Sequence, residues 1–140
     1  MKRIIILNLL IVFVFSLHSQ NAELHVTIRT ITPIKSNAYT TELPNYVCEV
    51  AHDVYYNGEL LIKENTPVDT RIEVYKARSR NRVGSITIYF VGVNTIKGQR
   101  VFFNESYTKG GKLRKWRWLH GKNAYIPTGT MINVFGVYEY

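Results

Sequence analysis

Alternation is what most constrains this chain. From Leu24 onward apolar and polar side chains exchange places residue by residue in short runs, and no later stretch sustains the spacing of an amphipathic helix. Leu24, Val26 and Ile28 alternate with His25, Thr27 and Arg29, and Ile86, Ile88 and Phe90 repeat the pattern behind Gly84. A strand sends successive side chains to opposite faces, so each run buries one face and wets the other.

Turn residues divide these runs. Asn57-Gly58 joins a strand from Tyr46 to about Tyr56 with a return strand from Glu59 to Lys63, because both residues tolerate a positive φ. Residues 36–45 read as a polar loop bracketed by Pro33 and Pro44. Pro67 opens a strand that reaches about Ala77; it belongs at a first position or an edge, since it cannot donate to a ladder. Arg78-Ser79-Arg80-Asn81-Arg82 is a cationic turn, and Lys97-Gly98 is a tight one before a strand from Gln99 to Glu105. Gly92 marks a bulge where alternation loses step, and a last strand runs from Met131 to Tyr140. About seven or eight short strands joined in this way predict an all-β fold, a small antiparallel β-barrel or sandwich.

One internal echo stands out. Ile62-Lys63-Glu64-Asn65-Thr66-Pro67-Val68-Asp69 resembles Ile126-Pro127-Thr128-Gly129-Thr130-Met131-Ile132-Asn133. In each an Ile is followed three places later by Asn or Gly, then Thr, then a strand. Asn and Gly enter the left-handed region most readily, so one turn geometry is predicted to occur twice.

Ahead of this pattern Lys2 and Arg3 precede an apolar run from Ile4 to Leu17, broken only by Asn8 and Ser16, with a polar exit at His18 to Asn21. This is the layout of a secretory signal peptide, and the run is short for a membrane span, which needs about 20 apolar residues. The expected organisation is a signal peptide over residues 1–20, cut after Ser19 or Gln20, and a single β domain over 21–140. No Cys follows the apolar run to take a lipid. The expected location is therefore exported: periplasmic, associated with the outer envelope, or secreted.

Charge and cysteine content narrow the partners. The full chain has 18 Lys and Arg against 10 Asp and Glu, and only Lys2 and Arg3 leave with the leader, so the basic excess persists. Such a balance favours contact with anionic surfaces such as lipid headgroups, polysaccharide or nucleic acid, and equally fits a soluble basic protein with no polyanion partner. The expected partners are an envelope protein or anionic glycan or lipid, with nucleic acid behind them. Cys48 is the only cysteine and sits in the apolar-rich stretch Tyr46-Val47-Cys48-Glu49-Val50, so a buried, inert thiol is expected and no internal disulfide can form.

The most distinctive segment is 109–122, with six Lys or Arg in fourteen residues and two interleaved Trp. The candidate binding residues are Lys109, Lys112, Arg114, Lys115, Trp116, Arg117, Trp118 and Lys122. Cations attract phosphate or carboxylate, and Trp stacks on sugars or bases or seats at a membrane interface. The plainer alternative has a Trp face completing the core while the cations are solvated. Arg78, Arg80 and Arg82 extend the patch if their turn lies nearby.

Catalytic chemistry has little support. Glu49, His52 and Asp53 are close in sequence, but in a continuous strand His52 points away from the two carboxylates. His25 and His120 have no ligand spacing, and no phosphate loop, nucleophile elbow or Cys/His cluster occurs, so no catalytic residue, metal or cofactor is expected. The ten tyrosines suit half-buried strands with a polar rim.

From His25 to about Lys112 the layout resembles a known family of exported domains. Its parts are Ile28-Arg29-Thr30-Ile31, Ile34-Lys35-Ser36, Asp53-Val54-Tyr55, Leu61-Ile62-Lys63-Glu64-Asn65-Thr66-Pro67-Val68, Gly84-Ser85-Ile86-Thr87-Ile88 and Gly98-Gln99-Arg100-Val101. They look like the β-barrel domain of type IV secretion core-complex proteins, with Asn65 in place of a usual Gly and Lys97 in place of a usual Asp. The helical insert and long linker of a channel component have no counterpart, so the resemblance implies fold and compartment. The expected function is a non-enzymatic structural or interaction module. The alternatives are a small hydrolase or lyase with a site assembled from distant strands, and a subunit of an envelope secretion or conjugation assembly.

Overall fold

The computed structural model describes residues 21–37, 43–78, 82–111 and 122–140, and ten strands form the secondary structure among these described residues. They are β1 (Asn21–Thr30), β2 (Ile34–Lys35), β3 (Cys48–Val50), β4 (Val54–Tyr56), β5 (Glu59–Ile62), β6 (Pro67–Tyr75), β7 (Ser85–Asn94), β8 (Arg100–Gly110), β9 (Tyr125–Ile126) and β10 (Met131–Glu139). Six close an antiparallel barrel in the order β1-β10-β8-β7-β6-β3, which settles barrel over sandwich. The other four make two small sheets, β2 with β9 and β4 with β5.

The alternation predicts the core directly. Leu24, Val26 and Ile28 of β1, Ile86, Ile88 and Phe90 of β7, and Ile132 and Val134 of β10 all point inward and are buried. The small sheets add Ile34, Ile126, Val54, Leu61 and Ile62 to the same cluster. One sheet therefore stops each mouth of the barrel. Pro67 does open β6, and Gly92 does sit at a register shift, beyond which Gly92 and Val93 are both buried while Val91 turns out to solvent.

Three readings change. The strand expected from Tyr46 to Tyr56 breaks at residues 51–53, where the chain leaves the wall for the β4–β5 mouth. Ala51 N–H still donates to Thr27 O at 2.8 Å, in register with the β1–β3 ladder, and beyond it the Asp53 carboxylate accepts the Glu64 N–H at 2.7 Å and ties the departing chain to the far side of the hairpin. The strand from Gln99 extends to Gly110, and a short strand that was not expected, β2, lies between Pro33 and the 36–45 loop.

The internal echo is a repeated structure. Asn65 and Gly129 both hold positive φ, 69° and 86°, and the following Thr hydroxyls donate to the carbonyls three residues back, Thr66 to Lys63 at 2.6 Å and Thr130 to Pro127 at 2.7 Å. Each turn clasps the end of a wall strand. Asn65 N–H bonds Val50 O and Gly129 N–H bonds Thr30 O, both at 2.8 Å, while Val50 N–H bonds Thr66 O at 2.9 Å and Thr30 N–H bonds Thr130 O at 3.0 Å.

The relation extends beyond the turns. Ile28 faces Ile132 as Cys48 faces Val68, Arg29 faces Met131 as Glu49 faces Pro67, and Ile34 faces Ile126 as Val54 faces Ile62. Ile31 N–H bonds Val47 O as Ala51 N–H bonds Thr27 O. Residues 27–34 thus correspond to 47–54, and 62–68 to 126–132. An approximate two-fold axis passes through the β1–β3 ladder at its central pair, Arg29 and Glu49, which form an ion pair at 2.6 Å.

Candidate functional site: a cationic mouth

Backbone hydrogen bonds gather three segments that are distant in sequence around the β2–β9 mouth. Gly84 N–H donates to Lys122 O at 3.1 Å, and Gly111 N–H donates to Gly84 O at 2.8 Å. The Asn123 side chain accepts the Ala77 N–H at 2.8 Å, and Ser36 joins through its hydroxyl, which accepts the Ala124 N–H at 2.8 Å. The end of β6, the start of β7, the end of β8 and the approach to β9 therefore meet at one place. Gly84 is required there by space: a Cβ on it would come within 2.9 Å of the Asn123 Cα.

This junction brings Arg78 and Arg82 of the cationic turn together with Lys109 and Lys122, the two ends of the basic segment. Lys35 and Lys76 stand at the same mouth, and all six side chains are exposed. Tyr75 and Tyr125 are exposed beside them, at 63% and 48%. Of the eight candidate binding residues, Lys109 and Lys122 are described; Lys112, Arg114, Lys115, Trp116, Arg117 and Trp118 lie outside the described residues, as do Arg80 and His120.

The remaining charges are arranged differently. The four ion pairs among the described residues are Arg29–Glu49, Arg71–Glu73, Lys97–Glu59 and Arg100–Asp69, and none uses a cation of the mouth. Arg71 also lies over the Tyr89 ring at 4.2 Å, and the Glu73 carboxylate raises the Tyr89 hydroxyl above its ordinary pKa. Around the two-fold-related β4–β5 mouth stand Asp53, Glu59 and Glu64, with Glu23 and Glu139 where β1 begins and β10 ends. Lys63 stands exposed beside Glu64 and Lys97 pairs with Glu59, so on a shared backbone plan, and among the described residues, one mouth is wholly cationic and the other has more carboxylates than cations.

Glu49, Asp53 and Cys48 are occupied by structure, and His52 is exposed to solvent. Glu49 takes two hydrogen bonds from Arg29, at 2.6 and 3.0 Å, and Asp53 caps the turn at Glu64. Burial pushes the Cys48 thiol up to about 12, so it stays protonated and inert.

A second surface was not anticipated. Val91, Phe102, Phe135 and Val137 are each about half exposed on one wall, with Phe102 opposite Val137 and His25 edge-on to Phe135 at 5.2 Å. Beside them is a hollow of about 340 Å³ lined by Asn21, Ala22, Glu23, Phe135, Gly136 and Val137. The signal for it was present in Phe102, Phe135 and Val137, which occupy the outward phase of otherwise alternating strands. No family model matches the chain, and no curated protein or solved structure does.

Proposed function

We propose that this chain is an exported, non-enzymatic β-barrel module of a bacterial envelope that contacts anionic surfaces through its cationic mouth. The observation that carries the reading is the backbone junction at Gly84, which joins the Arg78–Arg82 turn to both ends of the 109–122 segment. Cations from segments far apart in sequence then act on one surface, and their fields add within a Debye length, about 8 Å at physiological salt. Export rests on the leader pattern, and the module role on the structural employment of Glu49, Asp53 and Cys48. The resemblance to type IV secretion core-complex β-domains points to the same compartment.

The test is retention on anionic glycan, lipid and nucleic acid supports. Reversing Lys112, Arg114, Lys115 and Arg117 together is expected to abolish salt-sensitive retention without lowering Tm; retention that ignores both salt and reversal refutes the reading. Cell fractionation with N-terminal sequencing tests export, and an intact leader on a cytosolic protein refutes it. A second reading, a subunit of an envelope assembly, is favoured by the apolar wall of Val91, Phe102, Phe135 and Val137, since such contiguous patches mark protein contacts.

A further inference from the structure

The two mouths are built on one backbone plan, so their difference in charge is a property of side chains alone. Lys35, Lys76, Arg78, Arg82, Lys109 and Lys122 surround one; Asp53, Glu59, Glu64, Glu23 and Glu139 mark the other end, where they outnumber Lys97, paired with Glu59, and the exposed Lys63. We propose that this polarity orients the barrel end-on to a phosphate-bearing lipid surface, with the β2–β9 mouth against the headgroups and the β4–β5 mouth away. The inference rests on the anionic-surface reading and commits it to one partner class.

Three observations favour a lipid plane over a threaded polymer. The cations come from β2, the β6–β7 turn, β8 and the approach to β9, so they frame an end of the molecule and do not line a channel along its wall. The interior behind that mouth is filled, with Ile34, Ala124 and Ile126 at 0–2% exposure, so nothing threads through. Tyr75 and Tyr125 stand exposed among the cations, and a ring with an apolar body and a hydroxyl suits the headgroup boundary. Surface potential of an anionic leaflet draws cations within a Debye length and repels carboxylates, so a polar barrel is both attracted and turned.

The experiment uses residues 21–140, which contain every described strand and core residue. It measures co-sedimentation with vesicles of phosphatidylcholine alone and with roughly a third phosphatidylglycerol, beside retention on heparin and single-stranded DNA supports. Binding is expected on the anionic vesicles only. The triple variant K76E/R78E/R82E, checked for an unchanged Tm, is expected to partition at least about tenfold more weakly.

A counter-variant separates orientation from net charge. E64K/E139K adds cations at the opposite mouth, and is expected to leave vesicle binding within about twofold and to give no rescue when combined with the triple reversal. Rescue by those distant lysines overturns the end-on orientation. Retention on heparin or DNA with none on anionic vesicles overturns the lipid assignment and leaves the broader reading standing. Loss on all supports removes both.

Discussion

The two clasps that close β3 and β1 perform the same task with different residues. At 62–66 the left-handed position is Asn65, and the strand end it holds is Val50; at 126–130 the position is Gly129, and the strand end is Thr30. The backbone bonds match to within 0.1 Å, yet the side chains have specialised. Asn65 lends its Oδ1 to Arg29 at 2.6 Å, so this turn is tied to the ion pair on the two-fold axis. Gly129 has nothing to lend. Its turn is tied instead by the Thr30 hydroxyl, fully buried, which donates to Pro127 O at 2.8 Å and accepts the Thr130 N–H at 3.0 Å. A repeated backbone thus needs one side-chain anchor per turn, and which of the two partners supplies it is free.

The largest expected effect tests that statement at its buried anchor. Thr30→Val keeps the shape and installs the residue found at the corresponding position, but orphans the Thr130 N–H and takes a donor from Pro127. Leaving a buried donor unmade costs about 1–3 kcal/mol, to be read as a shift in the denaturant midpoint at constant m. The reciprocal Val50→Thr is expected to cost less than about 1 kcal/mol, because Lys63 O and the Thr66 N–H stand where Pro127 O and the Thr130 N–H stand in the other clasp. Equal losses from the two swaps refute the correspondence.

The backbone side of the comparison gives a smaller effect. At φ 86° a Cβ on Gly129 crowds its own carbonyl, so Gly129→Ala is expected to cost roughly 1–2 kcal/mol although the space around it is open. Asn65→Gly relieves the same kind of strain at φ 69° and gives up the Arg29 bond, and the two roughly cancel to within about 0.5 kcal/mol. An Asn65→Gly loss as large as that of Gly129→Ala identifies the side chain, not the backbone, as the determinant.

These pairs also show how far the sequence could be read. The barrel walls were legible because Leu24-His25-Val26-Thr27-Ile28 and its like commit every second residue to one side. The clasps were legible as an echo, because a left-handed residue followed by Thr is a local instruction. The β4–β5 mouth was legible as the Asn57-Gly58 hairpin, whose two turn residues hold φ 51° and 79°, but the β2–β9 mouth was not. β2 and β9 are two residues each and pair Ile34 with Ile126, so neither carries a periodic signal. The break after Val50 was hidden because Val47, Val50 and Val54 stay apolar on either side of it, and the departing segment is tied by the Asp53 side chain to the Glu64 N–H. The same holds for the candidate site. Its cations were visible one by one, but their convergence depends on Gly84 bonding to Lys122 and Gly111, contacts that no spacing announces.

The smallest expected effect sharpens the comparison most finely. Cys48 is the counterpart of Ile28 and pairs across the axis with Thr30. Its thiol, raised by burial to about 12 from an ordinary 9.0, favours the fold while both states stay protonated. A raised folded pKa means that this contribution is complete below about 9 and is lost as pH rises from about 9 toward about 12. At pH 8 the native thiol is therefore expected to resist a maleimide, and labelling reports only opening of the β1–β3 ladder. Thr30→Val weakens that ladder's own strand end and is expected to speed labelling by the factor its stability loss predicts if opening is global. Gly98→Ala, which strains the β7–β8 turn at φ 80° away from that ladder, gives the same factor in that case once matched for stability. If Thr30→Val labels faster than a Gly98→Ala protein of equal stability, the ladder on the axis opens by itself, and the two halves of the barrel separate before the rest of the wall yields.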